Sequence, residues 1–335
     1  MLMAPTLPRV VPDESPCLPR TSPSSPFGGA RPDALCKAGH DTKLEATMVF
    51  QVVGWLGLGN MGRPMATRVG NAGNEVLAFD VAGTAERLPS GATAASSIEA
   101  VLTGSDIVLM SLPDGSASRK VTDAISACQN RRVRAVIDLS TIGPVAAQEA
   151  QAALEPLGVT YADGPVSGGT NGAHAGTVSL MFAGPLALHD EVLPILEAIS
   201  SNVFHVGDEP GQGQAMKLLN NFLSATALAA TSEALSFGVS YGLELQAMVD
   251  ILNVSSGRNS ATDDKFPNRV IPQTYDSGFA TSLMSKDVNL MAAETAHAGT
   301  PSDLVDQVRR IWTDMDGLVP DSDFTEIWRY RSGHD

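Results

Sequence analysis

The 335-residue chain is short of cysteine, of aromatic residues and of positive charge, and each shortage excludes something. Its three cysteines, Cys17, Cys36 and Cys128, lack the close pairing of a metal-binding loop and cannot close a disulfide framework. That points to a reducing compartment and an expected cytoplasmic location. With 22 Lys and Arg against 37 Asp and Glu, the formal net charge is −15 and the isoelectric point is near 4.7. A nucleic acid or an anionic membrane surface calls for the opposite charge, so neither is an expected partner. No apolar run approaches the roughly 20 residues of a membrane span, and a soluble protein is expected. What is plentiful is ordinary core material: 43% of residues are hydrophobic and 18% charged, enough for two folded domains in a chain of this length.

Residues 1–47 differ from the rest. They hold eight prolines, several Ser and Gly residues, no hydrophobic periodicity and balanced charges. Such a segment buries too little apolar surface to offset its ordering entropy, and it reads as a disordered extension. It lacks the apolar stretch of a secretory signal and carries too many acids for a transit peptide. Met48 directly precedes the first strand, which leaves two readings: an upstream start site or a genuine tail.

From Met48 to about residue 211, short apolar strands alternate with helical stretches, the pattern of a parallel α/β sheet. The run Met48 to Leu56 delivers Gly57-Leu58-Gly59-Asn60-Met61-Gly62 into a helix-compatible stretch, Pro64 to Asn71. A second strand, Glu75 to Phe79, ends in Asp80, 23 positions beyond Gly57. A Gly-rich turn between strand and helix sets bare backbone N–H groups and the positive helix end against a pyrophosphate, and the acid can hold a ribose diol. Alone the hexapeptide is weak; the strand, helix and acid around it make the dinucleotide reading specific. Asp80 accepts from both ribose hydroxyls and repels a 2′-phosphate, which favours NAD over NADP; Arg87 is expected on the next helix.

Two more apolar runs, Asp106 to Leu112 and Ala135 to Leu139, read as strands covered on both faces. Leu112-Pro113 and Ser140-Thr141 then fall at strand carboxyl ends, where open α/β sheets bind ligands. Each is equally read as an ordinary turn before a helix cap. The segment Asp163 to Gly176 is crowded with glycine between two strands, which means an awkward reversal or a close backbone approach to a ligand. Ser167 with the amides of Gly168 and Gly169 offers a set of donors suited to a carboxylate, and His174 reads as a surface residue.

From Gln214 to about Gly242 the chain reads as one long helix with only Lys217 and Glu233 charged, buried in a core or an interface. Asn221 shares the face of Lys217, and Asn220 lies beside it. Lys217 is then either at an exposed first turn or desolvated, with its pKa lowered toward neutrality and suited to acid/base work.

The ordered set formed by the Gly57–Gly62 turn, Asp138 to Pro144, Asp163 to Gly169, the Gly213-x3-Lys217-x3-Asn221 helix and Lys286-Asp287 resembles the β-hydroxyacid dehydrogenase family, in its 3-hydroxyisobutyrate dehydrogenase group. The similarity runs from about Val52 to Trp328. It implies a Rossmann-type dinucleotide-binding domain over 48–211 followed by an all-helical domain over 212–335, joined into a homodimer or homotetramer through the helical part. It implies Lys217 as the catalytic acid/base, Ser167, Gly168, Gly169 and Asn221 as substrate-binding residues, and Leu112, Pro113, Thr141 and Lys286 as cofactor contacts beside the Gly57–Gly62 turn and Asp80. The implied reaction moves hydride between NAD or NADP and a small β-hydroxy acid such as 3-hydroxyisobutyrate, without a metal. Reduction of tartronate semialdehyde or succinic semialdehyde is the alternative, and a non-catalytic dinucleotide-binding protein the alternative of another class.

Overall fold

The computed structural model describes residues 52–332. The expected disordered extension 1–47, Cys17, Cys36 and the opening residues of the first expected strand lie outside the described residues. The elements follow in order: β1 Val53–Leu56, α1 Gly62–Asn71, β2 Val76–Phe79, α2 Thr84–Arg87, β3 Ala92–Ala94, α3 Ile98–Gly104, β4 Ile107–Met110, α4 Gly115–Ala127 and β5 Ala135–Asp138. Then come α5 Pro144–Leu154, β6 Thr160–Asp163, β7 Val166–Ser167, α6 Gly169–Ala175, β8 Ser179–Ala183, α7 Leu186–Ile199 and β9 Asn202–Gly207. The rest is helical: α8 Gln212–Ser240, α9 Leu245–Asn253, a π-helical run Ala261–Val270, α10 Thr281–Ala298, α11 Asp303–Leu318 and α12 Ile327–Ser332. This is a Rossmann-type half followed by an all-helical half.

Strands β3, β2, β1, β4, β5 and β6 are parallel neighbours in that order. The chain changes direction across the sheet between β1 and β4, and their carboxyl ends form the crevice where such sheets take ligands. Beyond Gly164-Pro165 the sheet turns mixed: β6 and β7 pair antiparallel with β8, through Asp163↔Ala183 and Val166↔Leu180, and β9 pairs parallel with β8. Central strands bury both faces. Trp55, Leu109 and Ile137 pack toward α1 and α7, while Leu56, Val108, Met110 and Val136 pack toward α3, α4 and α5. Each such side chain contributes about 1.5–3 kcal/mol of burial. The helical half has its own core around Phe266, Trp312, Phe324 and Trp328.

Three expectations change in detail. The glycine-rich segment after Ser167 is a short helix, α6, ended by Gly176 in the left-handed region at φ 73°, and Gly168 and Gly172 let the chain come close to Val178 just ahead of β8. Helix α8 starts at Gln212 and ends at Ser240, slightly ahead of the expected span. At 29 residues it is also long and apolar enough, by length and composition, to cross a membrane, contrary to the expectation that no such run exists. It instead carries Lys217, Asn220 and Asn221 and packs on α10 and α12, as the core helix of a folded half does.

Glycine is required at both ends of the first turn. A Cβ on Gly57, at φ 96°, would lie 2.2 Å from the Ser111 carbonyl oxygen, and one on Gly62 would lie 2.1 Å from the Gly57 carbonyl oxygen. Both contacts are with backbone, which cannot swing aside. Gly62→Ala is therefore expected to destabilise the protein by about 2 kcal/mol or more, read as a lower urea midpoint, whereas Gly317→Ala, on α11 where a Cβ would meet nothing within 4 Å, should lose far less.

Candidate active site

The turn after β1 is held open by an acid. The Leu58 N–H donates to Asp80 Oδ2 and the Ala82 N–H to Asp80 Oδ1, each at 2.7 Å. Each carboxylate oxygen can accept one further hydrogen bond, the capacity a ribose diol needs. A Cβ on Gly59 would meet nothing within 4 Å, so the turn faces free space at its middle glycine, while Gly57 and Gly62 are hemmed in by backbone. Asn60 is exposed beside it and Met61 leans on the core. These residues fit a dinucleotide: a bare-backbone turn, a helix N-terminus and an acid at the next strand end. Arg87, the last residue of α2, folds back so that Nη1 donates to the Ala82 carbonyl at 2.5 Å.

The neighbouring strand ends are tied to one another. Buried Asp138 accepts from the Ser140 N–H at 2.9 Å and the Ser118 hydroxyl at 2.8 Å, and Ser140 Oγ accepts from the Leu112 N–H at 2.8 Å. Desolvation raises the Asp138 pKa above the ordinary carboxylate value against these donors. Leu112 and Thr141 thus flank the crevice half-buried, with Pro113 exposed next to them.

Helix α8 enters this crevice on a second acid. Asp163, at the end of β6, accepts from the Gly211 N–H at 2.6 Å and the Gln214 N–H at 2.7 Å, satisfying donors that a helix start leaves unpaired. Gly213 makes room, since its Cβ would fall 2.6 Å from Asp163 Oδ2 and 2.4 Å from the Met181 carbonyl oxygen. Gln214 then reaches across: its Oε1 accepts from the Ile142 N–H at 2.8 Å, and its Nε2 donates to the Ser140 carbonyl at 2.9 Å. Burial lifts the Asp163 carboxyl to about 7, with the two backbone donors pulling the other way.

One turn further, Lys217 is 6% exposed, which removes the reading of an ammonium in water. Its Nζ donates to Asn221 Oδ1 at 3.1 Å, and Asn221 Nδ2 donates to Asp287 Oδ2 at 2.6 Å. Desolvation brings the Lys217 pKa down to about 8; the charge of Asp287 holds it up and that of Lys286 pushes it down. Lys286, on α10, donates to the Thr141 carbonyl at 2.8 Å and lies 3.2 Å from Asp287 Oδ1. Asn220 closes the ring: its Nδ2 donates to Ser167 Oγ at 3.3 Å and to Asn221 Oδ1 at 3.0 Å. Ser167 is followed by Gly168 and Gly169, both with positive φ, 136° and 64°. The expected residues Lys217, Asn221, Ser167, Thr141 and Lys286 therefore meet around one crevice. His174 is exposed on α6.

Asp163, Gln214 and Asp287 were not singled out as site residues from sequence, although two of them sit within recognised motifs. A single acid closing an otherwise apolar strand, as in Thr160–Asp163, is the signal that could have found the first.

Residues 52–207 match the family described as the NAD binding domain of 6-phosphogluconate dehydrogenase, and residues 211–331 that described as NAD-binding of NADP-dependent 3-hydroxyisobutyrate dehydrogenase. The chain is 35% identical over 300 residues to a 3-hydroxyisobutyrate dehydrogenase of Pseudomonas aeruginosa, covering 84% of this chain and 99% of that one. The chain belongs to the β-hydroxyacid dehydrogenase family, in its 3-hydroxyisobutyrate dehydrogenase group. It is 36% identical over 244 residues to 2-(hydroxymethyl)glutarate dehydrogenase of Eubacterium barkeri, covering 71% of this chain and 80% of that one. The solved structure of a Mycobacterium tuberculosis 3-hydroxyisobutyrate dehydrogenase with L-serine superimposes with a TM-score of 0.77 at 29% identity, covering 84% and 99%. As a family member the chain is an NAD(P)-dependent oxidoreductase acting on a CH–OH group.

The clamp on α8 can be tested directly. Asp163→Ala leaves two buried N–H groups without acceptors and is expected to cost about 2–5 kcal/mol. Denaturant titration should show that loss, and hydrogen exchange should show the first turn of α8 opening ahead of its middle.

Proposed function

We propose that the chain is an NAD-linked dehydrogenase of short 3-hydroxy acids of the form HOCH2–CH(R)–COO−, with Lys217 as the general acid/base. The observation that carries this reading is the buried Lys217 ammonium, bonded to Asn221 and bridged through Asn220 to Ser167. 2-(Hydroxymethyl)glutarate, L-serine and 3-hydroxyisobutyrate, which appear in the names and title of the proteins above, differ only in R. That shared core is a hydroxyl carbon two bonds from a carboxylate. A carboxylate in the donors of Ser167, Gly168 and Gly169 would bring the hydroxyl toward Lys217.

A bound nicotinamide dinucleotide supplies the hydride acceptor in oxidation and the donor in reduction. The Gly57–Gly62 turn would hold its pyrophosphate and Asp80 its ribose, with Leu112, Pro113, Thr141 and Lys286 along the rest. Neutral Lys217 takes the substrate hydroxyl proton as hydride leaves the same carbon, and protonated Lys217 returns it in the reverse reaction. A pKa of about 8 suits both directions, since about one lysine in ten is then neutral at pH 7. Asn221, oriented by Asp287, accepts from the ammonium and fixes its place between turnovers. No metal is called for, because the lysine proton and fixed amides can meet the charge that develops on oxygen. Asp80 supports NAD, as its carboxylate stands where a 2′-phosphate would be repelled.

A homodimer or homotetramer through the helical half accords with the exposed apolar stripe Met216, Leu219, Leu223 and Phe237 on α8, continued by Tyr241 just past its end. Buried, unpaired Cys128 fits a reducing cytoplasm.

Lys217→Ala is expected to lower kcat by at least about 10³-fold while NAD still binds, measured by fluorescence titration beside steady-state rates. Turnover near wild type in that variant would sink the mechanism. In the intact enzyme, oxidation should rise with pH through about 8 and reduction should fall over the same range.

A further inference from the structure

Helix α6 follows directly on Ser167 and Gly168 and takes its direction from the elements around it. Gly168 and Gly169 at its start and Gly176 behind it all have positive φ, at 136°, 64° and 73°. Glycines in that region are turning points, so side contacts must fix the seven-residue helix between them. At its start Gly168 and Gly172 pass close to Val178, and Gly169 lies against the Ser277 and Gly278 carbonyls. Along its length it is less supported. An open cavity of about 810 Å3 lies between α6 and α1, lined by Thr170 and His174 on one side and Thr67, Arg68 and Asn71 on the other. Among the described residues a single hydrogen bond joins these two helices, and Arg68 makes it.

Arg68 Nη1 donates to the His174 carbonyl at 3.3 Å and Nε donates to the Ala198 carbonyl at 2.9 Å. The acceptors lie in the last turns of α6 and α7, where carbonyls lack helical partners and the dipole favours a cation. One side of this bridge is rigid, since Ile195, Leu196 and Ile199 of α7 are buried in one core with Met65 and Val69 of α1. Gly176 makes room for the other: a Cβ there would fall 2.1 Å from Arg68 Nη2. We propose that Arg68 is a positioning residue for the substrate: by tying the end of α6 to α1, it sets where Ser167, Gly168 and Gly169 hold the substrate carboxylate. This rests on the reading of those three residues as carboxylate donors. Helix α1 starts at Gly62, the last glycine of the dinucleotide turn, so the tie fixes the carboxylate donors relative to the cofactor side of the crevice. A displacement of about 1 Å between reacting groups can cost about 100-fold in rate, which is why a remote tie matters. Arg68 acts through α6, and its effect belongs to substrates that carry a carboxylate.

The test separates substrate binding from chemistry and from cofactor binding. Full-length wild type, Arg68→Met, Arg68→Lys and Gly176→Ala are assayed with NAD and either 3-hydroxyisobutyrate or L-serine. Isobutyrate, which has the carboxylate and lacks the hydroxyl, serves as competitive inhibitor, and NAD affinity is read by fluorescence titration. In Arg68→Met the KM for the acid and the inhibition constant of isobutyrate should both rise by about tenfold or more. Its kcat and its NAD affinity should stay within about threefold of wild type, the pattern of lost ground-state binding. Arg68→Lys, able to reach one carbonyl at a time, should recover part of the loss. Gly176→Ala displaces the guanidinium from the opposite side, should repeat the pattern, and decides the matter if Arg68→Met does not fold. Unchanged KM and isobutyrate inhibition would overturn the assignment, as would parallel losses in kcat, KM and NAD affinity, which mark general loosening of the fold. If wild type turns over neither acid, the proposed function itself fails, and this inference with it.

Discussion

The Asp163 carboxylate is the interaction on which the arrangement of the site rests. It ends β6, the outer strand of the six-stranded parallel run, and holds the start of the first helix of the helical half, through hydrogen bonds to the N–H groups of Gly211 and Gln214. A carboxylate buried this far costs several kcal/mol unless donors meet it. The helix start provides unpaired N–H groups and a favourable dipole at that point. The acid and the helix end therefore satisfy one another, and the direction of α8 follows. Lys217 stands three residues after Gln214 and Asn221 one turn later, so their place over the crevice is set by helix pitch from a fixed origin. The same acid opens the segment that ends in Ser167, Gly168 and Gly169. Lys217 and the Ser167–Gly169 segment are thus placed from one residue.

Around Lys217 two opposing effects are balanced. Desolvation is the larger and would favour the neutral amine; Asp287 restrains it, and Lys286 adds to it. Asp287 is itself 3% exposed and faces both Asn221 and Lys286, so it lies between the Lys217–Asn221 pair and a residue gripping the Thr141 carbonyl. This couples the position of α10 to the protonation of Lys217. A change in the Lys286 contact at Thr141, at the edge of the crevice, alters the field at Lys217 without touching it.

Much of this was legible in the sequence because it follows short-range rules. The Gly57–Gly62 turn, the strand ending at Asp80 and the apolar runs around Val108 and Val136 are local patterns, and the parallel sheet and helical half follow from them. Lys217 and Asn221 are four residues apart on a helix, so their meeting could be read. The contacts of Asp163, Gln214 and Asp287 could not, because they join residues 48 to 74 positions apart, or 66 in the case of Asn221 and Asp287. Periodicity says which face is buried, never which buried polar group answers another. Whether Lys217 was exposed or desolvated was open for the same reason: its neighbours above the helix come from α10. The reach of Arg87 back to Ala82 was hidden by rotamer freedom, since a residue at the end of a four-residue helix can point either way.

The division of labour also explains how one scaffold can serve several hydroxy acids. The elements that would do chemistry are held by backbone: amides of Gly168 and Gly169, N–H groups on Asp163, the carbonyl at Thr141 under Lys286. These are indifferent to the group R on the substrate carbon. Selecting R would fall to other side chains around the crevice, and each such contact would be worth only about 1–3 kcal/mol. Substitutions there can exchange substrates without disturbing Asp163, Gln214 or Asp287. The converse is not available. Altering the clamp at Asp163 would move Lys217 and Ser167 together, whatever R is.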